Sequence, residues 1–449
     1  MKLIITLALS FFVLLNCFSQ NNTEGAAIIR LCGTPILNEE YEIWIDKAIQ
    51  KQNQFANLKK TSTVYTIPVV FHIIHSGQAV GTSYNISLAQ VNSQINILNQ
   101  DFRKTNPDFA TTVTQTSFVN SAADCEINFC AARISPSGTL MAEPGVDRIS
   151  TVAKGWNAPP YKGMIEPGGY IDNTIKVNSS WDPTKYLNIW ILPMNDGVLG
   201  YAQFPTVPAG TTPITDIVGW GGAANTDGVV FDYRYVGNVG AATYPFNKGR
   251  TATHEIGHWL GLRHINGDAS CGNDYCTDTP AQGSLTSGCP STTGGASVAG
   301  CTVTSNPPGK MYQNFMDYSD DRCMTMFTTA QKARMQACMA NCARRTSLNT
   351  STVCNVSSVI GINENVSEMN MEVFPNPSSG DLYVTVNMLN QQDYTITIIN
   401  TLGQTVKEIK QVQSNGSTLK IDLSDKSPGI YFVTVKSKSV SKTKRIVLQ

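Results

Sequence analysis

The chain has 449 residues, with 33 basic side chains against 33 acidic ones and a formal net charge of zero. No uniform field is available to recruit nucleic acid or an anionic membrane surface, so partners held by bulk charge are excluded. The length suits one large domain with small accessories, and twelve cysteines point to an exported, disulfide-bonded protein rather than a cytosolic one.

Residues 1–19 read as a secretory signal: Lys2, an apolar run from Leu3 to Leu15, then Cys17-Phe18-Ser19 with small residues for cleavage. The run is shorter than the about twenty apolar residues a membrane helix needs, and no later run is long enough. Asn16 disfavours lipidation at Cys17, so export through the periplasm to the outside is expected.

Residues 20–62 read as a prosegment. With Cys17 lost in the leader, eleven cysteines remain, and setting Cys32 apart leaves an even set. Cys32 sits in Arg30-Leu31-Cys32-Gly33-Thr34-Pro35, ahead of a Lys/Gln/Asn-rich stretch ending near Lys59-Lys60. A thiolate is a good soft ligand, so Cys32 is expected to fill the open position of a metal site until the segment is cut away. A disulfide partner in an ordinary N-terminal arm is the alternative.

The catalytic domain is expected over residues 63–350. Tyr65 to His75 is rich in β-branched residues and reads as a buried strand, with His72 and His75 as structural histidines. Asn85 to Lys104 carries Ile86, Val91, Ile95, Leu98 and Phe102 at helical spacing. Leu187 to Leu192 is another strand, leading to Gly197–Ala202 as an edge strand above a cleft, where an extended peptide could pair.

His254-Glu255-Ile256-Gly257-His258 places two imidazoles one helical turn apart, both able to reach one ion. Glu255 can lean over the open position as general base. Gly261 can take positive φ, ending the helix and returning His264 as a third nitrogen ligand. Three protein ligands leave a fourth position for water, as in a catalytic zinc site. An amphipathic helix with solvated histidines is the plain alternative, but three of the chain's five histidines fall in these eleven residues.

Next comes an oxygen-rich loop holding Asp268, Asn273, Asp274, Asp278 and Thr279. Calcium is expected there, with Asp278 and Thr279 as contributors, although the spacing is not that of an EF-hand and a solvated acidic loop is the alternative. In Asn314-Phe315-Met316-Asp317-Tyr318, Met316 can form an apolar floor under the histidines and Tyr318 can bring a phenol to the metal. In Asp320-Asp321, Asp321 is expected to form the base of a substrate pocket favouring Arg or Lys after the scissile bond, with a solvated acidic pair as the alternative.

The string from His254 to His264 resembles the metzincin signature H-E-x-x-H-x-x-G-x-x-H at every defining position, and Met316 resembles its Met-turn. With Ile67–Lys104 and Asn314–Met326 the likeness is to the pappalysin family, nearest its bacterial cytophagalysin-like members, over most of residues 64–345. The resemblance implies an α+β fold: a twisted sheet plus zinc helix, in two subdomains around a cleft. It further implies a zinc endopeptidase acting on proteins or peptides, with His254, His258 and His264 as ligands, Glu255 as base and Tyr318 at the transition state. Cys32 looks like the cysteine switch of such proteases. In that resemblance Cys276 pairs with Cys301 and Cys289 with Cys323. The partners of Cys125, Cys130, Cys271, Cys338, Cys342 and Cys354 stay open. The rival readings are a secreted adhesin with a vestigial zinc site, which the intact Glu255 argues against, and a non-peptidase zinc hydrolase.

After a linker at 351–370, residues 371–449 alternate in short strands: Asp381–Asn387, Tyr394–Asn400, Thr405–Lys410, Thr418–Leu423 and Ile430–Lys436. Glycines 403, 416 and 429 break them, which suggests a small β-sandwich. From Phe374 to Gln449 this segment resembles the C-terminal sorting domain of type IX secretion substrates in Bacteroidetes. That implies recognition by the export machinery, with a substrate-binding module as the alternative.

Overall fold

The computed structural model describes residues 30–35, 39–56, 64–113, 116–163, 169–206, 222–290, 301, 309–355, 369–388, 392–414, 418–437 and 441–449. The expected signal sequence lies outside them, as does most of the linker.

Strand β1 (Tyr65–His75) is the axis of the catalytic domain. It pairs in parallel with β2 (Ile127–Ala131), β3 (Val146–Ser150) and β4 (Leu187–Leu192). Beyond β4 come β6 (Gly228–Asp232), also parallel, and then β5 (Gly200–Ala202), which runs antiparallel at the sheet's edge. Parallel strands covered on both faces read as continuous apolar runs, and β4 and β6 are buried throughout. The predicted edge strand is therefore real but shorter, because Gly197 turns the chain at φ +81°. His72 is buried with its ring nitrogens on Asp147 and Asn188, a structural role, while His75 is only half-buried.

Four helices of ten residues or more are described: α1 (Glu39–Ala56), α2 (Leu88–Phe102), α3 (Arg250–Trp259) and α4 (Thr329–Asn341). Helix α2 starts later than the periodicity suggested, because the Ser87 side chain accepts the Gln90 amide as a cap. Its stripe of Val91, Ile95, Leu98 and Phe102 enters the same core as Ile256, Trp259, Met316 and Met335. Gln94 on that face links two loops, accepting from the Gly237 amide and donating to the Gly249 carbonyl just ahead of α3. Helix α1 was legible only as a polar stretch. Its Tyr41 and Ile45 are buried against Phe204, Ala337, Cys338 and Cys342, which lays this N-terminal helix on α4.

Among the described residues three disulfides are formed: Cys130–Cys354, Cys271–Cys301 and Cys289–Cys323. The pairing of Cys276 with Cys301 implied by the resemblance is not formed. Cys271 takes Cys301, while Cys276 is turned inward beside Asp274 and Arg334 as a buried thiol. Cys125, Cys338 and Cys342 are also buried thiols, so the even set left beside Cys32 is not fully paired.

The C-terminal region is a sandwich of two antiparallel sheets. One has the order β10-β9-β12-β13, from Thr405–Ser414, Gln392–Asn400, Gly429–Ser437 and Ser441–Leu448. The other is β11-β8-β7, from Thr418–Asp422, Asp381–Met388 and Met369–Phe374. Alternating residues such as Leu382, Val384, Ile396, Ile398, Val433 and Val435 fill the space between them. The five predicted strands are present, and β7 and β13 complete the two sheets.

Candidate active site

Helix α3 runs beneath the edge strand and ends where predicted. Gly261 adopts φ +89°, and its amide bonds back to the His258 carbonyl, so the chain reverses and returns His264. The three imidazoles converge: His258 Nε2 lies 3.1 Å from His254 Nε2 and 3.2 Å from His264 Nε2. Each Nδ1 is engaged elsewhere. His254 Nδ1 is 2.7 Å from the Phe315 carbonyl, His258 Nδ1 2.7 Å from the Leu262 carbonyl, and His264 Nδ1 2.5 Å from Asp268. A carbonyl can only accept, so the Nδ1 atoms of His254 and His258 carry the protons and their Nε2 lone pairs face inward. Burial and the neighbouring imidazoles push His254 well down, and burial and His264 bring His258 to about 3, so both rings are neutral.

Met316 is fully buried below this cluster and faces Gly257. A Cβ built there would fall 2.6 Å from the Met316 sulfur, so glycine lets the methionine lie directly against the helix. The Met316 carbonyl accepts from the Ile265 amide, fixing the return loop to the floor. Tyr318 lies with its ring centroid 5.0 Å from that of His264.

Glu255 is buried beneath the edge strand. Burial raises its carboxyl to about 7, against hydrogen bonds from Cys32 and Thr34 that lower it. Cys32 Sγ is 3.2 Å from Glu255 Oε2, Thr34 donates to the same oxygen at 2.9 Å, and the Cys32 amide lies 3.4 Å from the Tyr318 oxygen. The segment around Cys32 lies along the sheet edge through an isolated bridge. Leu31 accepts from the Leu199 amide, the Gly33 amide donates to Gly200, and Cys32 bridges Gly200 in parallel.

Asp321 is fully buried, and its two oxygens have different partners. Oδ1 takes the Arg30 guanidinium at 2.5 Å, while Oδ2 accepts the Lys248 and Arg250 amides at the entrance to α3. Asp320 is turned toward Arg322. In the oxygen-rich loop Thr279 donates to Asp274, and Asp278 Oδ2 accepts the Ala330 amide in the first turn of α4. Asp268, read as part of that loop, instead supports His264.

Sequence reasoning missed Arg30, Thr34 and Asp268 as members of the site. Their signal was position alone: two of them flank Cys32, and Asp268 follows His264 by one helical turn. Among the described residues, one group of side chains could hold a metal ion: Cys32, His254, His258 and His264, with donor atoms all within 4.8 Å of one another. Three buried imidazoles with converging Nε2 atoms fit a borderline-soft divalent cation, and a soft sulfur completes a fourfold set.

Such a helix, return loop and methionine floor define a metallopeptidase of the metzincin type. The family model for pregnancy-associated plasma protein-A matches residues 169–340, and a model of the secretion system C-terminal sorting domain matches residues 372–449. An extracellular metalloprotease of Verticillium alfalfae is 30% identical over 319 residues, covering 68% of this chain and 87% of the relative. One from Coccidioides posadasii is 31% identical over 293 residues, covering 65% and 81%. Among solved structures, mature mirolysin of Tannerella forsythia in complex with a cleaved peptide is 38% identical with a TM-score of 0.53. It covers 64% of this chain and 97% of that one. A promirolysin mutant of the same organism gives 35% and 0.54, covering 72% and 98%. The chain belongs to the pappalysin family of metallopeptidases, and it carries a C-terminal secretion domain. Among the described residues no helix is long and apolar enough to cross a membrane.

Proposed function

We propose that the chain is a secreted zinc endopeptidase made as a latent zymogen. His254, His258 and His264 are its metal ligands, Glu255 its general base and Tyr318 its oxyanion donor. The observation that carries this is the convergence of three Nε2 atoms, with those of His254 and His264 lying 3.1 and 3.2 Å from that of His258, beside the buried carboxylate of Glu255. When bound, zinc supplies Lewis acidity, making water acidic enough to attack near neutral pH and polarising the peptide carbonyl. Glu255 takes the attacking water's proton and passes it to the leaving nitrogen. The Tyr318 hydroxyl donates to the developing oxyanion, where one donor is worth about 3–4 kcal/mol.

Latency follows from Cys32. Its sulfur lies within reach of the three imidazoles, while its thiol and Thr34 occupy Glu255. Cutting the chain after the prosegment, near residue 62, frees the base, the phenol and the edge strand together. The domain limits at 63–350 and 371–449 and the handling of the tail by the export machinery belong to the same reading.

Calcium in the loop after His264 is supported by Asp278 Oδ1, which is buried without a hydrogen-bond partner. Chelation separates the two ions. Phenanthroline should stop casein cleavage by the processed enzyme and added zinc should restore it, while EGTA should lower the thermal midpoint and added calcium restore it. Full proteolysis in excess phenanthroline would refute the zinc mechanism. An unmoved midpoint in EGTA would refute the calcium site.

Asp321 is proposed as the acidic base of the pocket for the residue after the scissile bond. Arg30 of the prosegment already fills that place with a buried guanidinium, 2.5 Å from Asp321 Oδ1. Asp321→Asn keeps an oxygen for the two backbone amides but removes the charge. We expect the preference for Arg over Leu at that position to fall by about 10²-fold, since a buried charge loses its partner. Paired peptides differing only there measure it, and an unchanged ratio would rule the pocket out.

A further inference from the structure

The prosegment's second anchor lies away from the metal. Glu42 of α1 is 2% exposed, and its carboxylate is gripped by two arginines of the catalytic domain. Arg263 Nε is 2.7 Å from Oε1 and Arg334 Nη1 is 2.7 Å from Oε2. Both guanidiniums lie against the Tyr275 ring, with centroid distances of 5.3 and 5.9 Å. Arg263 also reaches Asp268 at 3.5 Å, and the other oxygen of Asp268 holds His264. The clamp is thus two side chains from a proposed metal ligand. Among the described residues, Arg334 has no other carboxylate within ion-pair distance, and its Nε is buried without a hydrogen-bond partner.

The position of the clamp in the cleft follows from the prosegment's path. Arg30 meets Asp321 on one side of the three imidazoles, and Cys32 reaches the imidazoles themselves. The chain then passes Thr34, which donates to Glu255 and accepts the Ala202 amide. Helix α1 next lies beyond Ala202, with Tyr41 and Ile45 on Phe204. With the primed-side pocket at Asp321, the clamp stands on the non-primed side.

We propose that Arg334 and Arg263 form a carboxylate-binding subsite on the non-primed side of the cleft. Glu42 closes it in the latent chain, and its removal opens it to an acidic side chain of the substrate. Without Glu42 the two guanidiniums lack the carboxylate that joins them, and a substrate glutamate or aspartate restores the pair. Each arginine meets one oxygen of Glu42, so the two cations together span a single carboxylate. The subsite rests on the peptidase reading and on Asp321 marking the primed side.

The test uses the processed enzyme and fluorogenic peptides with Arg after the scissile bond, in which one Glu or Gln is scanned through about four residues before it. At one of these positions Glu should raise kcat/KM about tenfold over Gln, chiefly through KM. In Arg334→Met that ratio should fall to about one, and in Arg334→Lys part of it should return, separating lost charge from lost fold. A flat scan in the wild type, or a preference that survives Arg334→Met, would overturn the subsite alone. A preparation that cleaves neither these peptides nor casein would overturn the peptidase reading, and the subsite with it.

Discussion

Glu255→Gln in the processed enzyme should lower kcat by about 10²–10⁴-fold, with KM and zinc content nearly unchanged. Glutamine fills the same volume beneath Gly200 but cannot take a proton from the attacking water. The three imidazoles are held by Phe315, Leu262 and Asp268, none of which depends on Glu255, so metal retention is expected. Single-turnover cleavage of a peptide, with metal content measured on the same sample, reads both quantities. A kcat within tenfold of wild type would mean that another group moves the proton. Loss of zinc with loss of turnover would mean that the carboxylate serves the site's structure instead.

Asp227→Ala should be the most damaging substitution outside the cleft. This buried carboxylate accepts the Trp259 indole N–H at 3.0 Å, the fully buried Arg345 at 2.7 and 3.0 Å, and Arg344 at 2.5 Å. Arg345 in turn lies 3.6 Å over the Trp259 ring and donates to its carbonyl. The cluster therefore ties the C-terminal end of the metal helix to the start of β6 and to the chain after α4. Removing the one anion leaves a buried guanidinium unpaired, which costs about 3–5 kcal/mol. In a domain of this size that lowers the thermal midpoint by roughly 6–15 °C. A shift below about 2 °C would show that the cluster is not holding the helix. The pH dependence has a defined sign. Burial pushes the Asp227 carboxyl up, but Arg345 and Arg344 outweigh it and hold the value below the ordinary 3.8. Its stabilisation is thus fully present above about pH 4 and is lost as pH falls through the lowered value.

The convergence of His254, His258 and His264 beside Glu255 was legible because its geometry is local. Two histidines four apart share a helix face whatever surrounds them, and Gly261 marks the reversal by its own permitted φ. Strands β1 and β4 were legible to the residue, since runs of β-branched and apolar side chains reflect burial on both faces. The sandwich strands showed by alternation, whereas β7 and β13 are defined by the neighbours they pair with.

Where the answer depended on distance through space, the sequence was silent or misleading. Cysteine spacing and parity could not show that Cys271 meets Cys301 while Cys276 faces inward, since a disulfide is set by which backbones approach. Asp268 read as one more loop oxygen until the Gly261 turn brought it against His264. Arg30 and Asp321 are 291 residues apart, and Glu42 and Arg263 are 221 apart. The sequence by itself determined the chemistry of the centre, through side chains held on one turn of helix and one return. Only the tertiary structure decided what that centre faces. The sheet edge, the prosegment and α4 come together by packing their apolar faces, and the buried charge pairs between them follow from that contact.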